Sequence, residues 1–321
     1  MKTTIFGAGV FGTALGAILE ENGHTVEYYD PVKYPEKGLT EATTNSEINI
    51  LACPSHAAPK LMLFLPHDKP LICASKGFLT DASFKPWGAN FSILSGGAFA
   101  ADLMQKHPAV LTATSPLVKE LFKTSWLEFD ETTDNVGVLI CGALKNIYAI
   151  GSGYWGLTYG STDFDDFINS ALTEMKAIVQ ENGGKPATVD LSCGLRDLVI
   201  TCASATSRNY DFGTKLKKDP ELGLKYLSGA VRLPTTEGIT TVAQIPRTPS
   251  FKKTVSTPIL DRIIALINNE PYLATTTGEE QNTGEEKATP VSQPTTQTPK
   301  PATPAPQPAA PAPNPPVNPA S

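Results

Sequence analysis

The sequence predicts an α/β fold: a doubly wound, mainly parallel sheet in its first part, an all-α second part and a disordered, proline-rich tail. Three observations carry this. A glycine turn links an apparent first strand to a helix, the strand-like runs stop near residue 135, and the residues after 272 hold no aromatic side chain. The boundaries follow as 1–131 for the sheet domain, 132–272 for the helical domain and 273–321 for the tail.

The tail is the simplest part. Of 28 prolines, 12 lie between Pro290 and Pro319, among Thr, Ala, Gln and Asn. Such a composition buries too little apolar surface to offset the entropy of ordering. About 270 residues remain, a length that suits two modest domains. Net charge is −6, and −4 without the tail, because Glu279, Glu280, Glu285 and Glu286 outnumber Lys287 and Lys300 by two. A mildly acidic chain argues against non-specific nucleic-acid binding. No apolar run is expected to reach the ~20 residues of a membrane span. Met1 leads almost directly into Thr3-Thr4-Ile5-Phe6-Gly7, without the pattern of a signal peptide. Five cysteines (53, 73, 141, 193, 202) form no C-x-x-C pair, and the four histidines are scattered, so neither a disulfide framework nor a metal site is expected. The expectation is a soluble, cytoplasmic protein.

The first element is the short β-favouring run 3–6. Gly7-Ala8-Gly9-Val10-Phe11-Gly12 follows and opens an apolar helix that ends near Gly23, and Val26 to Asp30 forms a second strand. A bare G-x-G-x-x-G is weak evidence. Between a strand and a helix, with an acidic residue 18 positions after its last glycine, it marks a Rossmann-type dinucleotide site. Gly7 permits the tight turn, Gly9 lets backbone approach a pyrophosphate, and Gly12 allows helix and strand to pack closely. The helix N-terminus offers free N–H groups to phosphate. Asp30 is placed to accept from a ribose 2′-OH and to repel a 2′-phosphate, which points to NAD(H) over NADP(H). The competing reading is an Asp-Pro turn at the strand end, and Lys33 lies close enough to blur the preference.

Apolar runs at 48–53, 70–75 and 92–94 each end in a polar or small cluster: Pro54-Ser55-His56, Lys76-Gly77 and Ser95-Gly96-Gly97. In a doubly wound sheet these strand ends converge on one crevice. Lys76 could meet an anionic substrate there, or be an ordinary exposed lysine.

After Asp130–Asp134 the pattern becomes helical. The stretch 136–154 is apolar except for Lys145, and its length predicts a buried helix. Buried lysines are rare, and desolvation lowers their pKa toward the range useful for proton transfer. Snorkelling and a structural ion pair are the alternatives. Asn146 could support a polar site. Residues 164–179 show an amphipathic helix with caps at Ser161-Thr162-Asp163 and a stop at Gly183-Gly184. The segment 189–204 reads as helical, with Asp197 and Thr201 four apart on one face. Asp197 could pair with the buried lysine. Ser207-Arg208-Asn209 follows, where an arginine could fork onto phosphate or carboxylate.

Taken in order, Gly7-Ala-Gly-Val-Phe-Gly-Thr-Ala14, Ala74-Ser-Lys-Gly77, Leu94-Ser-Gly96 with Phe99-Ala100, Gly142-Ala-Leu-Lys-Asn-Ile147, Asp197-Leu-Val-Ile-Thr-Cys202, Ser207-Arg-Asn209 with Phe212-Gly213, and Glu237-Gly238 resemble the bacterial type of NAD(P)-dependent glycerol-3-phosphate dehydrogenase, over roughly residues 1–245. The resemblance implies a Rossmann domain and an all-α domain with the active site between them, and a homodimer. It implies interconversion of sn-glycerol 3-phosphate and dihydroxyacetone phosphate by hydride transfer at C2, supplying phospholipid synthesis. By position in its motifs it implies Lys145 as acid/base, supported by Asp197 and Thr201, with Asn146 beside them completing the candidate catalytic set. It assigns substrate contacts to Lys76, Gly96, Ser207, Arg208 and Asn209, and cofactor contacts to Val10, Phe11, Ala100 and Glu237 beside Gly7, Gly9, Gly12 and Asp30.

The chain departs from the family pattern in places. Gly-x-Gly-Asp reads Gly194-Leu-Arg196-Asp197, and Ser-Gly-Pro-Ser/Thr-Phe reads Ser95-Gly-Gly-Ala98-Phe. Thr162 stands for an asparagine, Ile168-Asn-Ser-Ala171 replaces Ile-Thr-Arg-Gly, and the segment from Asp30 to Asn49 is short. Two alternatives follow: a dehydrogenase for another small hydroxy acid or phosphate, and a cofactor-binding protein without turnover.

Overall fold

The computed structural model describes residues 1–77 and 82–272. The expected disordered tail lies outside these residues.

Seven strands form one sheet: β1 Lys2–Phe6, β2 Thr25–Tyr29, β3 Ile48–Leu51, β4 Leu71–Cys73, β5 Phe91–Gly96, β6 Ala109–Ala113 and β7 Leu127–Glu131. Their order is β2-β1-β3-β4-β5-β6-β7. All neighbours pair in parallel except β5 and β6, so the sheet is doubly wound and mainly parallel. The order reverses at β1/β3, the switch point outside which such sheets bind ligands. Helices α1 Val10–Glu21, α2 Leu39–Thr44, α3 Ala58–Met62, α4 Ala100–Met104 and α5 Pro116–Leu121 link the strands. The β2–β3 connection holds only the six-residue α2 among its helices, in keeping with the short segment seen in the sequence.

The strands are apolar on both faces because both are covered. Ile5, Ile50, Ile72 and Leu94 join a core with Leu15 and Leu19 of α1 and Leu103 of α4. Their neighbours Phe6, Leu51, Leu71, Cys73 and Ile93 belong to a second core that continues into the helical half. Strands β6 and β7 were not anticipated; they are short and end the sheet.

The helical half comprises α6 Asn135–Trp155, α7 Thr162–Glu181, α8 Asp197–Ala203, α9 Arg208–Leu216, α10 Leu222–Leu227, α11 Glu237–Gln244 and α12 Pro258–Asn268. Asp134 caps α6 by accepting from the Gly137 N–H at 2.9 Å, and left-handed Gly156 ends it. Helix α6 corrects one expectation. Its 21 residues, with a mean hydropathy of 1.4, have the length and composition of a membrane span. Its apolar window is 94% buried inside the fold, so it is the central core helix. Its neighbours approach at backbone distance: a Cβ on Gly153 would stand 2.0 Å from the Tyr210 carbonyl of α9, and one on Gly238 of α11 would stand 2.6 Å from the Asn146 carbonyl.

The segment read as one helix over 189–204 is three pieces. A 3₁₀ turn Pro186–Asp190 and a π turn Ser192–Arg196 precede α8. Gly194 sits so close to Val189 that a Cβ would meet the Val189 carbonyl at 2.1 Å, an approach that a continuous α-helix does not make.

Candidate active site

The glycine turn lies at the switch point. Gly7 has φ +113°, and a Cβ there would meet the Ala52 carbonyl and the Cys53 nitrogen at 2.7 Å. A Cβ on Gly12 would stand 2.0 Å from the Gly7 carbonyl. Gly9 has nothing within 4 Å of its Cβ position, so its open side faces the crevice. The first-turn N–H groups of Val10, Phe11 and Gly12 have no acceptor within α1. Tight on the protein side and open on the other, with free donors, the turn fits a pyrophosphate. The Val10 side chain is exposed, while Phe11 and Ala100 pack half-buried on the same core as Ala52.

Asp30 follows β2. Its Oδ2 accepts from the Ala8 N–H at 2.9 Å, and its Oδ1 accepts from the N–H groups of Val32 and Lys33. Burial alone would raise its pKa, but these three N–H groups and the Lys33 ammonium outweigh that and hold the carboxylate below its usual value. The Lys33 ammonium donates to the Ala8 carbonyl. Asp30 is therefore ionised, and it staples its own turn to the glycine turn.

The second half of the site is a charged cluster. The Lys145 ammonium donates to Asp197 Oδ1 at 2.7 Å and to Thr201 Oγ1 at 2.9 Å. Lys76 donates to the other carboxylate oxygen, Oδ2, at 2.7 Å and to the Gly96 carbonyl at 3.2 Å. Asp197 is buried, and Lys145 is only 5% exposed. Burial pulls the Lys145 pKa down to about 8; Asp197 opposes the shift and Lys76 adds to it. Two ammonium groups share one carboxylate, which leaves an excess positive charge facing any bound anion. Gly96 has φ +141°, and a Cβ there would stand 2.9 Å from Leu111 Cα, which is how its carbonyl comes within reach of Lys76.

The two halves are joined by short contacts. Gly7 packs on Ala52 and Cys53 at the end of β3; Ser55, two residues on, donates to Glu237 Oε2 at 2.7 Å. Ser55 and Glu237 also flank Gly77, next to Lys76. The glycine turn and the lysine cluster are thus linked through Ser55, Glu237 and Gly77.

Comparison with known proteins agrees with this arrangement. A family model described as NAD-dependent glycerol-3-phosphate dehydrogenase C-terminus matches residues 134–276. The glycerol-3-phosphate dehydrogenase (NAD(P)+) of Staphylococcus haemolyticus is 29% identical over 262 residues, 67% of this chain and 79% of the relative. That of Staphylococcus epidermidis is 29% identical over 293 residues, 76% and 88% of the two chains. The helical half of the chain thus matches the glycerol-3-phosphate dehydrogenase family model, and the chain as a whole is similar to NAD(P)-dependent glycerol-3-phosphate dehydrogenases. A solved structure of the glycerol-3-phosphate dehydrogenase from Coxiella burnetii shares the fold, with a TM-score of 0.70 at 20% identity over 84% of this chain and 94% of that one.

Within this dehydrogenase fold, the expected catalytic residues Lys145, Asp197 and Thr201 are in direct contact. Asn146 is next to them but is committed elsewhere: its Nδ2 donates to the Gly142 carbonyl at 3.1 Å, and its Oδ1 accepts from Asn209 at 2.9 Å. Asn209 in turn accepts from the Gly238 N–H at 3.0 Å. These two asparagines pin α9 and α11 to α6. Ser207 caps α9, accepting from the Tyr210 N–H. Arg208 is exposed and lines a cavity of about 50 Å³ with Asp211, Phe212, Lys215, Leu233, Pro234 and Thr236. Among the dehydrogenase motif's departures, Arg196 lies over Gly97, whose Cβ would meet its Cγ at 2.7 Å, and both line a 250 Å³ pocket with Phe99 and His107. All five cysteines are buried.

Two residues were not singled out in the sequence. Ser192, in the π turn, accepts from the Gly97 N–H at 3.2 Å and donates to the Val110 carbonyl, so it ties the π turn to the loop after β5 and to β6. Nothing in its local sequence marks it. Ser55 lies in the Pro54-Ser55-His56 cluster that ends β3, so its position at the crevice was visible, but not its partner.

Proposed function

We propose that this chain interconverts sn-glycerol 3-phosphate and dihydroxyacetone phosphate with a nicotinamide cofactor, as a soluble cytoplasmic enzyme supplying glycerol 3-phosphate for phospholipid synthesis. The observation that carries this is the buried Lys145–Asp197–Lys76 cluster, reached from the glycine turn through Ser55, Glu237 and Gly77.

The residues that would hold the cofactor are Gly7, Gly9, Val10, Phe11, Gly12, Asp30, Ala100 and Glu237. The nicotinamide, when bound, supplies or takes the hydride at C2. Lys145 donates a proton to the carbonyl oxygen in the reducing direction and accepts it in the oxidising one. With a pKa of about 8 it can do either near neutral pH. Asp197 and Thr201 fix the direction of its N–H bonds, and the shared carboxylate keeps the two lysines from repelling each other. The surplus positive charge stabilises the developing alkoxide and attracts the substrate phosphate. Lys76, Gly96, Ser207, Arg208 and Asn209 are the residues that would contact the substrate, with exposed Arg208 as a further cation for its phosphate.

The cofactor preference proposed is NAD(H), since ionised Asp30 would repel a 2′-phosphate. Lys33 supports a second reading, because its ammonium sits beside Asp30 and could offset that repulsion. Comparing NADH with NADPH in the wild type and in Lys33→Ala separates the two. A homodimer is also proposed, on family resemblance.

The deciding assay is NADH oxidation with dihydroxyacetone phosphate, lost in Lys145→Ala. Tight NADH binding with no oxidation would overturn the enzyme reading, and oxidation with only another ketone would change the substrate.

A further inference from the structure

We infer that Ser55 is a positioning residue for the cofactor, acting through the carboxylate of Glu237. This rests on the dehydrogenase reading above. Ser55 is completely buried at the carboxyl end of β3, and its hydroxyl donates to Glu237 Oε2 at 2.7 Å across 182 residues of sequence. That bond spans the two halves of the molecule, from the sheet to the first turn of α11. It is also sterically enclosed. Gly77 has φ +103°, and a Cβ there would stand 2.9 Å from Ser55 Oγ and 3.0 Å from Glu237 Oε2.

The position of the carboxylate says what it faces. Cys53 lies between the glycine turn and Ser55; burial, with smaller contributions from Glu237 and Asp30, raises its pKa to about 11. Both carboxylates are therefore within electrostatic reach of the strand end at the switch point, where a dinucleotide would lie. A carboxylate there repels phosphate and selects a donor, either a ribose hydroxyl or the carboxamide N–H. Ser55 occupies Oε2, so Oε1 is the oxygen left to receive that donor. Without the Ser55 hydroxyl, the Glu237 side chain regains rotamer freedom, and holding it for the cofactor costs entropy at each binding event.

The test is a double-mutant cycle on the full chain, with Ser55→Ala, Glu237→Gln and both together, read as NADH dissociation constants by fluorescence and as thermal midpoints. The expected result is that Ser55→Ala weakens NADH binding roughly 3- to 10-fold while kcat at saturating NADH stays near wild type. In the Glu237→Gln background, Ser55→Ala should add little further weakening. A drop in thermal midpoint with unchanged NADH affinity would overturn the assignment, as would fully additive effects on affinity. If the wild-type chain binds no NADH, the dehydrogenase reading itself fails and takes this assignment with it.

Discussion

The glycine turn and the lysine cluster are linked through Ser55, Glu237 and Gly77 but are built from opposite materials. The turn works by what it lacks: no side-chain atoms at Gly7, Gly9 and Gly12, so that backbone can crowd backbone on one side and lie open on the other. The cluster works by what it carries: two ammonium groups, one carboxylate and a hydroxyl from three separated segments. A site made of absences should tolerate no added atom. A site made of charges should tolerate a change of shape better than a change of charge.

The largest effect should come from the cluster. Lys145→Ala should lower turnover by roughly 10²–10⁴-fold, while NADH still binds, because the glycine turn is untouched. Loss of binding as well would mean that the two regions are not separable. Gly12→Ala should act the other way. Its Cβ would collide with the Gly7 carbonyl, so cofactor affinity should collapse and stability fall by about 1–3 kcal/mol, read by NADH titration and thermal denaturation.

Asp197→Asn keeps the shape and removes the charge. It should lower activity and move the pH dependence of what remains. In the wild type, reduction needs protonated Lys145, so its rate should fall as pH rises through about 8, while oxidation gains over the same range. Asp197 raises the Lys145 pKa, so its loss should move the alkaline limb of the reduction profile to lower pH. A pH–rate profile that is unchanged in Asp197→Asn would refute the electrostatic account. The smallest effect belongs to the tail: truncation after Tyr272 should leave turnover and thermal midpoint unchanged, because every candidate site residue lies at or before Glu237.

The same contrast explains what could be read in advance. Gly7, Gly9 and Gly12 fall within six residues, and their spacing between a strand and a helix states their purpose locally. Lys145 was visible as the lone charge in an apolar run, and Asp197 with Thr201 as a polar pair on one helical face. Their mutual contact was only a possibility, because it depends on the packing of α8 against α6. The second grip on Asp197, from Lys76, is a tertiary fact with no local trace. Asp30 shows the reverse. Its place at a strand end allowed a ligand role or a turn role, and the structure displays the turn bonds to Ala8, Val32 and Lys33. Asn146 was expected in the catalytic set and Asn209 among the substrate contacts; their bonds to each other and to Gly238, which pin α9 and α11 to α6, had no trace in the sequence. Strands β6 and β7 escaped notice because they carry neither glycine turns nor long apolar runs.

The π turn at Ser192–Arg196 has a consequence for how this gene can change. A π turn accommodates one more residue than the α turn it replaces, and each residue of an α-helix rotates its successor by about 100°. Deleting one residue from this stretch is therefore absorbed as an ordinary helical turn with Asp197 kept on its face, whereas deleting Leu198, Val199 or Ile200 within α8 turns Thr201 about 100° away from the Asp197 face and from Lys145. Every residue named in the site would still be present, and a comparison of aligned motifs would count the protein as intact. A single-codon deletion in α8 would therefore pass an inventory of catalytic residues and show only in an assay.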